Sequence, residues 1–154
     1  MAQPVVKILC SGAEPDYLTP WQVGAQEQWL GSGCIIRWDT IAKQYEGATL
    51  VITNAHVVDN AFYIHVRHQA FPAKFSARVH LLAPELDLAL LIVRAPPGSL
   101  DTLRPAEVEP LQPELFTDVL ALGYGQGGET VCMTKGVLSR IDVQHYAYLQ
   151  SLQQ

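Results

Sequence analysis

The sequence predicts an all-β protein, built either as a closed barrel or as a sandwich. Short runs rich in β-branched and apolar residues recur at intervals of about 10 to 15 residues and are separated by turns containing glycine or proline. Helical periodicity is scarce, and the pattern supports one helical turn, near residues 55–60. A length of 154 residues corresponds to one domain and suffices to bury a core.

The strand pattern starts near the amino terminus and runs through most of the chain. Residues 5–10 form a short β-rich run, and residues 34–38 form a strand that the chain enters through Gly31-Ser32-Gly33. The later strand segments are residues 48–53, 62–68, 73–82, 86–93, 117–122 and 130–141. Residues 94–113 contain five of the ten prolines, which predicts a connection that crosses the surface.

This connection divides the chain into unequal parts. We expect residues 1–95 to form a first β-barrel and residues 96–116 to form a proline-rich linker between barrels. Residues 117–154 then form the start of a second unit. Two strands alone are too few for an independent sheet with its own core, so this second unit is predicted to be incomplete.

Composition and charge exclude several classes of protein. The chain is 49% hydrophobic and 16% charged, which is not the composition of a disordered, collagen-like or coiled-coil protein. The formal net charge of −5 argues against nucleic acid as the main partner. The longest apolar run, residues 86–93, is interrupted by Asp87 and is too short to span a membrane.

The cysteines indicate no disulfide or metal site, and the amino terminus gives only a weak indication of the cellular compartment. Cys10, Cys34 and Cys132 are odd in number and far apart, so we expect buried free thiols in a reducing compartment and neither disulfides nor a zinc site. No targeting segment is visible at the start of the chain, which slightly favours the cytosol or nucleus. An organelle is equally consistent with the sequence if a presequence has been removed.

One histidine and one carboxylate stand at positions suited to catalysis. His56 follows a β-branched strand after two small or polar residues, which would hold its imidazole at the rim of a sheet. Asp87 stands at the head of an apolar strand, where a buried carboxylate needs a partner. Each residue alone is a weak signal, and a structural role is the simpler explanation for a single histidine in such a turn. Together they fit the base and the orienting acid of a catalytic triad.

The residues around this pair resemble the Deg/HtrA serine proteases. Residues 53–58 (Thr-Asn-Ala-His-Val-Val) are similar to the histidine motif of that family, and residues 87–91 (Asp-Leu-Ala-Leu-Leu) to its aspartate motif. Gly31-Ser32-Gly33 before Ile35 and Ile36 resembles the glycine-flanked strand that precedes the histidine.

The resemblance continues over residues 5–141. Residues 123–128 and 134–141 are similar to the first hairpin of the second barrel of these proteases, although Gly125 stands where relatives commonly have proline. Residues 5–8 and 20–22 resemble in particular the plant-type Deg branch.

The resemblance implies a chymotrypsin-like fold of two six-stranded barrels with the active site between them. It implies that His56 is the general base and Asp87 its orienting partner, both from the first barrel. It further implies peptide-bond cleavage in unfolded or damaged proteins, no cofactor, and a possible homotrimer assembled through aromatic residues such as Tyr17, Trp21 and Trp29. Packing against the barrel is the simpler role for these aromatic residues.

The family's nucleophile has no counterpart in this chain. None of the serines lies in a Gly-Xaa-Ser-Gly-Gly loop; they are Ser11, Ser32, Ser76, Ser99, Ser139 and Ser151. The chain stops before the segment in which the resemblance places this loop. We therefore expect the amino-terminal half of a serine endopeptidase domain, inactive alone, because triad residues act as a unit. The alternative is a non-catalytic, protease-like binding or regulatory module.

Other chemical motifs are weaker. Residues 123–128 formally match Gly-x-Gly-x-x-Gly, but a strand-like segment follows where a dinucleotide site requires a helix. Cys34 lies on the strand before the candidate base, and Cys132 lacks the glycines that shape an oxyanion hole, so we expect core thiols and no cysteine nucleophile. His65 and His68 are three apart on one predicted strand and would point to opposite faces, so no metal site is expected.

Overall fold

Six antiparallel strands close into a barrel, followed by a separate two-stranded sheet. The computed structural model describes residues 3–13, 25–37, 48–109, 111–125 and 127–142. The barrel strands are β1 (Val5–Gly12), β2 (Glu27–Ile36), β3 (Ala48–Thr53), β4 (Ala61–Arg67), β5 (Lys74–Ala83) and β6 (Leu88–Arg94). They are hydrogen-bonded in the order β1-β2-β3-β6-β5-β4, and β1 closes the barrel by pairing with β4.

Short helical segments connect these strands at one rim of the barrel. Helix α1 (Ala55–Val58) lies between β3 and β4, and a 3₁₀ turn (Pro84–Leu86) lies between β5 and β6. A second 3₁₀ turn (Leu100–Thr102) follows β6. No helix in the part of the chain that the structure describes is long and apolar enough to cross a membrane.

The core lies inside the barrel and follows the alternation of the strands. Val6, Ile8, Val51, Leu91 and Val93 are completely inaccessible to solvent. Burial of each such side chain contributes on the order of 1.5–3 kcal/mol of transfer free energy, so the barrel interior is the main source of stability.

Residues 96–116 do not run entirely over the surface, as their proline content had predicted. Leu100 is completely buried and Leu103 nearly so, and both belong to the barrel core. The apolar side chains in this segment close the interior of the barrel, which outweighs the preference of a proline-rich stretch for solvent. The domain boundaries expected from the sequence remain a prediction.

The second sheet is a hairpin of β7 (Asp118–Tyr124) and β8 (Val131–Val137). Large apolar side chains on it are exposed, among them Leu120, Met133 and Val137. It contacts the barrel through β1 and β2. A two-stranded sheet cannot cover both of its own faces, and this explains the exposed apolar surface.

The observed architecture confirms the all-β class and the closed barrel. The largest difference in strand boundaries is in β2, which begins at Glu27, well before the glycines that were expected to precede it. Gly31 and Gly33 instead lie inside the strand. They are glycines because side chains of neighbouring elements occupy the space that a Cβ atom would need. Residue 87 precedes β6, which begins at Leu88.

Candidate active site

The structure brings His56 and Asp87 together at the rim of the barrel. The His56 Nδ1 atom lies 2.7 Å from Asp87 Oδ2. The backbone N–H of His56 donates to the other carboxylate oxygen, Asp87 Oδ1, at 3.0 Å. Because a carboxylate accepts hydrogen bonds and does not donate them, Nδ1 carries the proton of the neutral ring and Nε2 has a free lone pair.

Strand pairing explains why two residues 31 positions apart meet. β3 and β6 are antiparallel neighbours, with Thr53 opposite Ala89. The carboxyl end of β3 and the amino end of β6 therefore lie at the same edge of the barrel. His56 follows the first end in α1, and Asp87 immediately precedes the second.

Local backbone conformation turns Asp87 toward the histidine. The 3₁₀ turn Pro84–Leu86 ends at Asp87, whose N–H donates to the carbonyl oxygen of Pro84 at 3.0 Å. Asp87 is in the left-handed region, with φ of 50° and ψ of 44°. This conformation is unfavourable for most residues but is better tolerated by aspartate and asparagine, so the turn itself favours an Asx residue at this position.

Asn54 is a site residue to which the sequence analysis assigned no role. Its Nδ2 atom donates to the backbone oxygen and to Oδ2 of Asp87, both at 3.1 Å. Asn54 therefore bonds the same carboxylate oxygen as the His56 ring, while the backbone N–H of His56 bonds the other oxygen. The sequence feature that could have indicated this role is the position of Asn54 directly after β3, from which its side-chain amide reaches the rim of the barrel.

The environment of Asp87 keeps its carboxylate ionised. Burial is the largest single influence and acts to raise the pKa of Asp87, but the hydrogen bonds and charge of His56 and the hydrogen bond from Asn54 together outweigh it. The net result is a pKa below the ordinary value for aspartate. A carboxylate that remains charged can orient the imidazole and stabilise its protonated form.

The imidazole of His56 is accessible, in contrast to the buried carboxylate. Its side chain is 60% exposed, whereas that of Asp87 is 10% exposed. A cavity of about 270 Å³ opens beside the ring and is lined also by Glu27, Trp29, Asp59 and Asn60. The Trp29 indole N–H donates to the carbonyl oxygen of Val57 at 2.7 Å, which fixes one wall of this cavity. The imidazole is thus open to a reactant.

A second cavity lies between the barrel and the hairpin. It has a volume of about 520 Å³ and includes Asn54 and Leu88 beside the histidine–aspartate pair, together with Leu120 and Leu122 of β7. Most of its lining is apolar. The region next to the pair is therefore bounded partly by the barrel and partly by the second sheet.

The competing motifs form no site in the described residues. Gly125 and Gly128 lie in the turn before strand β8, and the helix that a dinucleotide fingerprint requires does not follow. His68 is completely buried next to the end of β4, where its ring atoms bond the carbonyl oxygen of Gln3 and the N–H of Ala70. Within the described ranges, no three His, Cys, Asp or Glu side chains are grouped so that they could hold a metal.

The cysteines and the aromatic residues differ partly from expectation. Cys10 is buried, and burial raises its pKa to about 11, as expected for an inert core thiol. Cys34 is only half-buried and Cys132 is exposed, so the expectation of three buried thiols is wrong for Cys132, which lies on the two-stranded sheet and not in the barrel core. Trp29 packs at the rim, while Tyr17 and Trp21 lie outside the described residues.

The barrel and the geometry at its rim define a protein of the chymotrypsin-like class. A profile of the trypsin-like peptidase domain matches residues 31–153, and the chain belongs to this family. The match covers most of the barrel and the whole hairpin.

Individual proteins of Arabidopsis thaliana are similar to the chain over 94% of its length. Protease Do-like 2, chloroplastic, is 36% identical over 148 residues, and the chain covers 22% of that protein. Putative protease Do-like 13 is 35% identical over 144 residues, with 27% of its length covered. The chain therefore spans about a quarter of the length of these curated relatives. Its sequence identity to them over nearly its whole length makes it a homologue of the Deg/HtrA proteases.

A solved structure supports the same assignment. The Rv3671c protease from M. tuberculosis, in its active form, superposes with a TM-score of 0.61 at 26% sequence identity. The superposition covers 88% of this chain and 48% of that protein. The closed barrel and the hairpin thus match a chymotrypsin-like fold.

Proposed function

We propose that this chain carries the base and the orienting acid of a serine endopeptidase of Deg/HtrA type. The observation that supports the proposal is the 2.7 Å contact between His56 Nδ1 and Asp87 Oδ2 in a trypsin-like peptidase domain. His56 Nε2 would take the proton of a serine hydroxyl as that oxygen attacks a peptide carbonyl, and would then return the proton to the leaving amine. Asp87 would hold the ring in the required tautomer.

We further propose that the 154 residues are inactive alone. Their serines include none in a Gly-Xaa-Ser-Gly-Gly loop, so the sequence provides neither the nucleophile nor the backbone N–H groups that bind the oxyanion. Among the described residues, the polar partner of the His56 side chain is Asp87. An active enzyme would need a second-barrel segment that carries this serine. Its substrates would be unfolded or damaged proteins, as Deg/HtrA homology suggests.

Two measurements test this proposal separately. Proton NMR of the 154-residue chain should show a strongly downfield resonance for the proton between His56 and Asp87, which Asp87→Asn should abolish. Absence of this resonance in the folded chain would contradict the base–acid assignment. Incubation with casein and with a fluorophosphonate that labels activated serines should give neither cleavage nor labelling, while an intact trypsin-like protease reacts. Cleavage that His56→Ala removes would contradict the proposed inactivity.

A sequence observation separates a protease fragment from a binding module. If the reading frame that contains this chain also encodes a glycine-flanked serine after residue 154, the peptidase proposal is supported. If the frame stops there and the protein accumulates in cells, the alternative of a non-catalytic module is favoured. Purification of this chain together with a full-length protease would then identify what the module binds.

A further inference from the structure

Lys7 is buried on the outer face of the barrel, which is unusual for a lysine. In β1 the side chains of Val6, Ile8 and Cys10 point into the core, so the alternation of the strand directs Lys7 outward. Its side chain is nevertheless 6% exposed. A buried ammonium is costly unless hydrogen bonds and an opposite charge replace its water. The partners of Lys7 therefore matter for the stability of whatever covers it.

Among the described residues, the polar partners of the Lys7 side chain come from the turn of the hairpin. Lys7 Nζ donates to the carbonyl oxygen of Gly128 at 2.9 Å and to Glu129 Oε1 at 3.3 Å. Residues 128 and 129 connect β7 to β8. The barrel thus supplies a buried ammonium group, and the hairpin supplies the carbonyl and carboxylate oxygens that accept its hydrogen bonds.

Arg67 joins the same arrangement from β4. Its guanidinium bonds Glu129 Oε2, so each oxygen of this carboxylate faces a cation from a different barrel strand. We call Lys7, Arg67 and Glu129 the ion cluster. The hydrogen bond from Lys7, followed by the charge of Arg67, holds the pKa of Glu129 below its ordinary value. Glu129 therefore stays ionised at neutral and mildly acidic pH.

A second contact joins the same hairpin to β2, which is the neighbour of the strand that leads into the candidate active site. Ser32 Oγ accepts the backbone N–H of Tyr124 at 2.8 Å. The carbonyl oxygen of Ser32 accepts the hydroxyl of Thr53 at 2.9 Å, and Thr53 is the last residue of β3, directly before Asn54. The hairpin is therefore bonded to β1, β4 and β2, and through β2 to the segment that carries Asn54 and His56.

We propose that Lys7 is a positioning residue, which with Arg67 and Glu129 fixes the second sheet against the barrel at a defined place relative to the His56–Asp87 pair. The placement relative to a catalytic pair rests on the proposed function. The docking itself does not, because it follows from the burial and partners of Lys7. In a complete peptidase, displacement of this sheet would displace the half of the site that the second barrel supplies.

Amide hydrogen exchange in the 154-residue chain tests the proposal. Lys7→Met and Glu129→Gln should each raise the exchange rate of the Tyr124 amide at least about tenfold, because each variant removes a bond that holds the hairpin to the barrel. Amides bonded inside the β7–β8 ladder should change less, and amides of β3 and β6 should not change. Lys7→Arg keeps the charge and the donors and should restore most of the protection.

A matched control is available within the hairpin. Lys135 and Asp118 form an ion pair of 2.9 Å whose side chains are 68% and 67% exposed. Lys135→Met removes the same charge without a desolvated partner and should leave exchange at Tyr124 within about twofold of the parent. Unchanged Tyr124 exchange in both Lys7→Met and Glu129→Gln overturns the proposal, as does an equal increase in Lys135→Met or in Lys7→Arg. If Lys7→Met loses protection throughout the barrel, Glu129→Gln alone decides the outcome, because Glu129 is largely exposed and its replacement leaves the barrel strands intact.

The proposal can fail separately from the proposed function. The downfield proton of His56 reports the base–acid pair, and the Tyr124 amide reports the docking of the hairpin. Loss of Tyr124 protection with the His56 resonance retained supports the role of the ion cluster. A missing His56 resonance with the same exchange pattern contradicts the catalytic assignment and leaves the docking supported.

Discussion

Asp87 combines burial, a left-handed backbone conformation and a negative charge in one residue. Each of these is unfavourable alone. They are tolerated together because Asn54 and both the backbone and the ring of His56 bond the carboxylate. Strain and buried charge that the surroundings stabilise in this way are typical of functional sites.

The lowered pKa of Asp87 makes the stability of the fold depend on pH. The folded pKa lies below the ordinary value of 3.8, so the unfolded chain binds more protons between the two values. The contribution of Asp87 is therefore fully present above about pH 4 and disappears as the pH falls through the folded pKa. We expect Asp87→Asn to reduce the free energy of unfolding by about 1–3 kcal/mol at pH 7, because hydrogen bonds to a charged group are lost.

Urea unfolding between pH 2 and pH 7 measures this difference. The difference between the parent and Asp87→Asn should shrink as the pH falls below about 4 and through the folded pKa of Asp87. Asp118→Asn is the control, since Asp118 pairs with Lys135 on the surface, and it should change stability by less than about 1 kcal/mol. A difference for Asp87→Asn that is constant across the pH range would contradict the linkage.

In β2, a glycine allows the neighbouring strands β1 and β3 to pack closely against the strand. A Cβ atom on Gly33 would lie 2.7 Å from Val51 Cγ1, 2.8 Å from Ile8 Cδ1 and 3.1 Å from the carbonyl oxygen of Ile52. β1 and β3 flank β2 on its two sides in the barrel. The glycine thus lets three neighbouring strands approach each other just below the rim that carries Asn54 and His56.

We predict that Gly33→Ala lowers the free energy of unfolding by about 1–3 kcal/mol, as overpacking of a filled core does. Gly136→Ala in β8 is the matched control, because nothing lies within 4 Å of its added Cβ. Equilibrium denaturation of both variants compares the two sites. Equal stability of Gly33→Ala and the parent would show that the barrel relaxes around the added methyl group at little cost.

At the scale of the whole molecule, stability is distributed unevenly. The barrel has a closed ladder of hydrogen bonds and a filled interior, whereas in the described residues the hairpin pairs only with itself and has exposed apolar side chains. Local opening free energies follow such differences in burial and pairing. The hairpin is therefore held mainly by its contacts with β1, β2 and β4.

Native-state hydrogen exchange of a monomeric preparation should reflect this division. Amides of β3 and β6 should exchange only through global unfolding, while those of β7 and β8 should exchange at least about tenfold faster through partial opening. Protection that is uniform through residue 137 in a monomer would contradict the prediction. The exposed edges also predict concentration-dependent association, which sedimentation would detect.

Much of the barrel could be predicted because alternation and turn residues are local signals. The segments 48–53 and 62–68 differ from β3 and β4 by at most one residue at each end. β2 could not be bounded in this way, since its glycines suggest a turn when read locally and are explained only by Val51, Ile8 and Val57 from other elements. The burial of Leu100 likewise depends on core residues from strands that are far from it in the sequence.

What the sequence determined by itself is the all-β class, the barrel-forming strands, and the motifs that single out His56 and Asp87, because these depend on residue type and short-range periodicity. The tertiary structure alone decided that Asn54 bonds the carboxylate and that Lys7 is buried beneath residues 128 and 129. Both contacts join residues more than 30 positions apart in the chain. Such partners are selected by strand order and the closure of the barrel, which no local pattern encodes.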